Sequence, residues 1–164
     1  MIEGLNIPNF RKTLEIMAAD PRLVDMDTWW KTTACGTTAC LAGHAAELVG
    51  DRVEGLGNVG FIEINGQFES VEFTAANVLG LSSTRLRNAF FYRPAALKGR
   101  EAVAVLYQMA EVVSDGDIRM PPEFDDDYLR VAGWLDEDPP SDYRGDPAMY
   151  YLSEVPEVAQ PPQT

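Results

Sequence analysis

The chain is poor in the side chains from which metal sites and nucleophilic active sites are built. Its 164 residues include one histidine, His44, and two cysteines, Cys35 and Cys40. A structural zinc ion normally takes four ligands, so a fourth would have to be a carboxylate such as Glu47 or Asp51. Gly-rich phosphate-binding loops, paired catalytic carboxylates and Ser/His/Asp sets are also not visible. The composition therefore favours a protein without catalytic residues, metal or cofactor.

Long apolar runs are missing as well. No stretch approaches the roughly 18 apolar residues that cross a bilayer. The first six residues lack the basic and then apolar pattern of a signal peptide. We therefore expect a cytoplasmic protein with no membrane partner, in which both cysteines are free thiols rather than a disulfide.

Positive charge is scarce and unevenly distributed. Thirteen Lys and Arg face 26 Asp and Glu, which gives a net charge of −13. Residues 115–164 hold thirteen acids and three bases, whereas residues 73–100 hold five bases and no acid. A field of this sign opposes binding to nucleic acids or anionic membranes, except at a local basic face.

The hydrophobic content is that of a globular protein. It reaches 46%, with three Trp, seven Phe and six Tyr, enough for one domain with a sizeable core. Beyond residue 135 the composition turns acidic and proline-rich. We predict a globular domain over residues 1–135 and a C-terminal extension over residues 136–164.

The segment with both cysteines and the histidine predicts a central helix over residues 38–49. Thr37 or Thr38 can cap it, and Gly50 can end it in the left-handed conformation. Its apolar face contains Leu41, Ala45, Leu48 and Val49, and a second, nearly bare face contains Ala39, Gly43 and Ala46. The bare face invites close backbone approach, and we expect Trp29 or Trp30 to cover one end of this helix.

Other patterns complete an α+β fold that is mostly α. Asn65-Gly66 between alternating residues predicts one β-hairpin over residues 61–70. Helical spacing predicts further helices over 8–17, over 71–79 after Ser70, after Ser82 up to residue 91, over 100–113, and from Pro122 onward. We therefore expect about five helices around the Cys40 helix, with one small hairpin.

Cys35, Cys40 and His44 are the candidate metal ligands and reactive groups. Cys40 and His44 are four residues apart, a spacing by which one helical face presents two ligands. Cys35 precedes a helix N-terminus, which lowers a thiol pKa, but His44 lies nine residues on and cannot readily reach it as a base. We favour small buried cysteines and a partly buried His44 near Glu47 over zinc binding or cysteine catalysis.

Residues 73–90 resemble a helix-turn-helix. A small residue, Ala76, lies four positions before Gly80, and apolar Leu81 and Leu86 follow it. The side chains that would face a major groove are Ser83, Thr84, Arg85, Arg87 and Asn88. The negative charge of the remaining chain and the ease with which any Gly-linked helix pair matches this pattern weigh against DNA binding.

The acidic C-terminal extension is the candidate partner-binding element. It combines negative charge with large side chains at Tyr143, Tyr150, Tyr151 and Leu152, which suits capture of a basic protein surface. The alternative is a solubilising tail whose tyrosines fold back onto the chain's own core. We weigh this alternative slightly above the first.

A resemblance adds to this interpretation. A Met-x-x-Trp segment followed by Cys-Gly-Thr-x-x-Cys-x-Ala-Gly resembles a group of small bacterial and actinobacteriophage proteins without an assigned activity. The matching residues are Met26, Trp29, Cys35, Gly36, Thr37, Cys40, Ala42 and Gly43. The resemblance implies a phage or actinobacterial origin and supplies no mechanism.

These observations predict a non-enzymatic cytoplasmic protein-binding factor. The resemblance hints at a phage accessory or host-modulating protein, and the charge predicts a host or phage partner with a basic surface. The alternative is a helix-turn-helix protein, for which nucleic acid would be the partner. A cysteine-dependent enzyme and a small zinc-binding domain are weaker alternatives.

Overall fold

The computed structural model describes residues 1–34, 36–53, 60–137 and 145–159, and these residues form an α+β fold that is mostly α, as predicted. Eight α-helices lie in the described ranges: α1 (Ile7–Ala19), α2 (Leu41–Ala46), α3 (Val71–Leu79), α4 (Thr84–Phe91), α5 (Gly99–Val113), α6 (Asp125–Glu137), α7 (Pro147–Tyr151) and α8 (Pro156–Ala159). None of these helices is long and apolar enough to span a bilayer.

In the described part of the chain, four short strands form two separate antiparallel pairs. They are β1 (Lys31–Thr33) with β2 (Gly36–Thr38), and β3 (Phe61–Ile64) with β4 (Gln67–Ser70). The β3–β4 turn places Asn65 at φ 51° and Gly66 at φ 79°, the positive values that a type I′ turn needs, so the predicted hairpin is confirmed. The β1–β2 pair was not predicted, because neither strand contains an apolar side chain and so neither gives an alternating pattern.

Helix α2 is shorter than the predicted 38–49 helix. Cys40, in an extended conformation, is its N-cap, and Thr38 belongs to β2. The preceding residues stay extended because the Ala39 amide donates to the Leu23 carbonyl at 2.9 Å. At its C-terminus α2 ends at Ala46, and Val49, which was predicted to lie on the apolar face, is exposed.

The bare face of α2 makes the predicted close approach. A Cβ atom on Gly43 would lie 2.2 Å from the carbonyl oxygen of Trp29. The indole Nε1 of the next residue, Trp30, donates to Glu47 Oε1 at 2.6 Å. The backbone of Trp29 and the indole of Trp30 therefore cover one side of this helix, and only a glycine fits beneath the Trp29 carbonyl.

The core extends from α2 to the longest helix, α5. Helix α1 contacts both of them, and α3 packs against α2. On the far side α5 contacts α6 and α7. Helix α4 begins one residue later than predicted, because Ser83 rather than Ser82 caps it by accepting from the Leu86 amide at 3.1 Å.

The segment over residues 145–159 belongs to this core. The side chains of Ala148, Leu152 and Val155 are fully buried in the same apolar cluster as those of α5. Helix α6 itself continues to Glu137, across the predicted boundary at residue 135. The described residues of the predicted C-terminal extension therefore bury apolar surface against the rest of the chain.

Two glycine substitutions test the contact at α2. Gly43→Ala should lower the free energy of unfolding by about 1–3 kcal/mol, because its methyl group overlaps a backbone oxygen that must move. Gly133→Ala in α6 is the matched control, since a Cβ there meets nothing within 4 Å. It should raise stability by about 0.5–1 kcal/mol through helix propensity. Urea denaturation measures both, and equal effects would contradict the close approach.

Candidate functional site

A pocket of about 330 Å³ lies beside the N-terminus of α2. Its walls come from the segment before β1, from the N-cap of α2 and from the end of α4. They include Met26, Asp27, Trp29, Cys40, Phe91 and Tyr92. The pocket thus combines aromatic rings, a carboxylate and a thiol.

Trp29 and Tyr92 form an aromatic pair at this pocket. Their ring centroids are 5.9 Å apart and their planes meet at 87°, an edge-to-face contact. The Tyr92 hydroxyl donates to Glu72 Oε2 at 3.0 Å and so ties the end of α4 to the start of α3. Burial, and then Glu72, raise the pKa of Tyr92 to about 12, so its phenol remains a neutral donor at neutral pH.

Cys40 is a buried thiol rather than an activated one. Burial raises its pKa to about 11, the opposite of the shift that a nucleophilic cysteine needs. Its backbone amide donates to the Thr28 carbonyl at 2.9 Å, which fixes the residue at the pocket floor. Cys35, the other predicted candidate, lies outside the described residues.

His44 faces a different environment from Cys40. Its Nε2 lies 3.0 Å from the carbonyl oxygen of Leu23, and burial lowers its pKa. Cys40 lines the pocket, whereas His44 does not. Among the residues with described positions, no three His, Cys, Asp or Glu side chains lie close enough to hold a metal ion.

The segment over residues 73–90, which resembles a helix-turn-helix in sequence, forms the predicted helix, glycine turn and helix. Gly80 ends α3 with φ 75°. A Cβ atom on it would lie 2.1 Å from the Gly4 carbonyl oxygen, and the Asn6 amide donates to the Leu79 carbonyl at 3.0 Å. The N-terminal segment therefore covers this turn.

The five predicted DNA-contacting residues are not equally available. Thr84 and Arg85 are exposed, whereas Asn88 is half-buried. The Ser83 hydroxyl is occupied as the helix cap. The Arg87 guanidinium donates to Thr84 Oγ1 at 3.1 Å and lies 5.8 Å from the centre of an aromatic ring of α3.

The predicted partner-binding residues of the C-terminal extension pack inward. Tyr151 and Leu152 are buried in the core, so neither side chain is available to a partner in this conformation. Tyr150 is half-buried, with the Arg93 guanidinium 5.4 Å from its ring centre. Tyr143 lies outside the described residues. For the three described residues, the arrangement matches the alternative in which the tyrosines fold back onto the core.

Tyr128 of α6 is hydrogen-bonded to the C-terminal segment over residues 145–159. Its hydroxyl donates to Asp146 Oδ1 and accepts from the Ala148 amide at 3.1 Å. Burial is the main cause that raises the pKa of Tyr128, and the bond to Asp146 adds to it. This clamp holds the first turn of α7 against α6.

Four exposed aromatic side chains on neighbouring elements were not predicted from the sequence. They are Phe61, Phe68, Phe73 and Tyr92, which are 43%, 60%, 60% and 44% exposed, and we call them together the aromatic surface. Phe61 and Phe68 are diagonal neighbours in the β3–β4 register, on the hairpin face opposite buried Ile62. The alternation within residues 61–70 contained this signal, because it places the phenylalanines on the other face from Ile62.

Comparison with protein-family models, curated proteins and solved structures yields no match for this chain. The resemblance to the Met-x-x-Trp proteins therefore stays a prediction.

A pair of leucine substitutions tests whether the C-terminal segment is part of the core. Leu152→Ala should lower the free energy of unfolding by about 2–5 kcal/mol, because it leaves a cavity among fully buried side chains. Leu129→Ala is the control, since Leu129 is 64% exposed on α6 and should change stability by less than about 0.5 kcal/mol. Chemical denaturation followed by tryptophan fluorescence compares them. A Leu152→Ala protein as stable as the control would contradict the docking.

Proposed function

We propose that this protein is a non-enzymatic cytoplasmic binding factor that contacts another protein through its aromatic surface. The observation that carries the proposal is the exposure of Phe61, Phe68, Phe73 and Tyr92 on adjoining elements. Single exposed apolar residues are ordinary, but a patch of large aromatic side chains is typical of interaction sites. Aromatic residues also supply most of the hot spots in protein interfaces.

The four residues belong to one continuous piece of the fold. Strand β4 runs directly into α3, and the Val71 amide donates to the Gly60 carbonyl at 2.8 Å. Phe73 lies in the first turn of α3, one residue after Glu72, whose carboxylate accepts from Tyr92. The hairpin and the two helices therefore present their rings from a connected framework.

Charge around the aromatic surface favours a basic partner. Glu63 lies directly opposite Phe68 on the same face of the hairpin, and Glu72 precedes Phe73 in α3. The chain as a whole carries −13, which steers a positively charged surface toward it. The nearby cation Arg87 is already engaged with Phe73 and Thr84.

Two further considerations support this proposal. The raised pKa of Cys40 and the occupied Nε2 of His44 argue against cysteine chemistry at α2. The resemblance of the Met26–Gly43 region to actinobacteriophage proteins fits a phage accessory or host-modulating role, with a host or phage protein as the partner.

Comparative capture tests the aromatic surface. The double variant Phe61→Ser, Phe68→Ser should bind the partner with at least about tenfold weaker affinity, because the removed rings are interface anchors. Leu129→Ser, an equally exposed apolar site on α6, should keep it. The experiment is quantitative affinity capture from an actinobacterial lysate, repeated with the purified partner at two salt concentrations. A partner that binds both variants alike would contradict the proposal.

A DNA-binding function is the second candidate. The observation in its favour is the capped α3–Gly80–α4 unit, which exposes Thr84 and Arg85 at the N-terminal end of α4. Ser83 and Arg87 already form hydrogen bonds within the chain, so fewer side chains remain to contact DNA bases. We place this candidate below protein binding.

Salt-dependent duplex binding separates the two candidates. A DNA reader should bind duplex with a Kd well below ~10⁻⁴ M and lose affinity steeply as salt rises. Arg85→Ala should then reduce the salt slope by about 1, whereas Lys12→Ala on α1 should not. We expect no such binding in a mobility-shift titration. Association that depends on Arg85 would promote the DNA-binding candidate.

A further inference from the structure

We infer that the pocket at Trp29 and Tyr92 receives a cationic side chain, the ammonium of a lysine or the guanidinium of an arginine, from the protein partner. The inference rests on the proposed function and assigns a chemistry to one part of the interface. It joins three properties of the pocket: aromatic rings, negative charge and a fixed shape.

The aromatic pair supplies the first property. Trp29 and Tyr92 meet edge to face at 5.9 Å and both line the pocket, where an organic cation is attracted to the faces of such rings. The Tyr92 hydroxyl donates its hydrogen to the Glu72 carboxylate. That bond leaves more electron density on the phenol ring, which strengthens the attraction.

Negative charge is the second property. Asp27 lines the pocket and is exposed to solvent. The turn that carries it is fixed, because the Asp27 amide donates to Asp25 Oδ1 at 3.0 Å. Lys98 pairs with Asp25 through its backbone but is not part of the described wall. The described wall therefore carries an acid and no base.

The remaining wall suits the aliphatic stem of such a side chain. Met26, Phe91 and Ala95 give the pocket an apolar lining next to Asp27. A lysine or arginine stem buries its methylene groups along this kind of surface while its charged head meets a carboxylate. A short anion or a purely polar ligand would leave that lining unused.

A fixed shape is the third property. The carbonyl of Trp29 lies against Gly43. The indole of Trp29 lies close to Gly60, where an added Cβ atom would be 3.0 Å from Nε1. The ring is therefore held before any partner arrives, which lowers the entropic cost of binding. Tyr92 belongs both to the pocket and to the aromatic surface. A basic protein that covers the aromatic surface consequently brings its side chains to the mouth of the pocket.

The test uses three small probes on the intact protein. They are Nα-acetyl-lysine methylamide, the corresponding arginine compound, and Nα-acetyl-norleucine methylamide, which keeps the stem and lacks the charge. The readout is the NMR shift of the Trp29 indole N–H. The lysine or arginine probe should bind at least about fivefold more tightly than norleucine, the scale of a solvent-exposed cation–π contact together with a carboxylate.

Two variants with the same change in net charge test whether the cationic probe binds at Asp27. Asp27→Asn should weaken binding of the cationic probe about twofold or more, the scale of an exposed ion pair, whereas Asp126→Asn, an exposed acid on α6, makes the same change in net charge and should leave it unaltered. Norleucine binding as tight as lysine, equal behaviour of the two variants, or no binding of any probe would each overturn the inference. The proposed function fails separately: a Phe61→Ser, Phe68→Ser protein that retains its partner contradicts the aromatic surface even when the pocket still binds lysine.

Discussion

The contact between the Trp29 carbonyl and Gly43 is the constraint on which this side of the molecule depends. Because Gly43 has no side chain, the segment before β1 can lie directly on α2. The Trp29 backbone occupies the space that a side chain at residue 43 would need. The same contact sets the position of two indoles. Trp30 turns inward and donates to Glu47, whose carboxylate also pairs with Arg52 at 3.0 Å. Trp29 turns outward and becomes a wall of the pocket.

The location of the proposed binding surface follows from which aromatic side chains are buried and which are exposed. At the C-terminus, Tyr151 is buried and Tyr150 packs beneath Arg93, so their area stabilises the fold. On the β3–β4 hairpin, Phe61 and Phe68 remain in water, so their area is available to another molecule. Composition alone pointed to the acidic C-terminus, where negative charge and tyrosines coincide. Burial shows that large side chains beside acids need not form a surface.

The candidate site was only partly predictable from the sequence. The glycine turn after α3 and the cap of α4 follow from local residue preferences, and the structure has them within one residue. The availability of Ser83 and Arg87 does not follow, because it depends on which hydroxyl caps the helix and which ring lies nearby. The Met-x-x-Trp and cysteine motif contains three of the pocket residues, Met26, Trp29 and Cys40, but it does not indicate a pocket, since the walls come from three separate parts of the chain.

Local patterns of the sequence by themselves determined the mostly helical α+β fold, the Asn65-Gly66 hairpin and the bare face at Gly43. These features depend on backbone preferences and on side-chain periodicity, which neighbouring residues control. Only the tertiary structure decided that α2 begins at Leu41 rather than at Thr38, because hydrogen bonds to a distant segment keep Ala39 extended. It also decided which aromatic residues are buried, since burial depends on how helices far apart in sequence pack together.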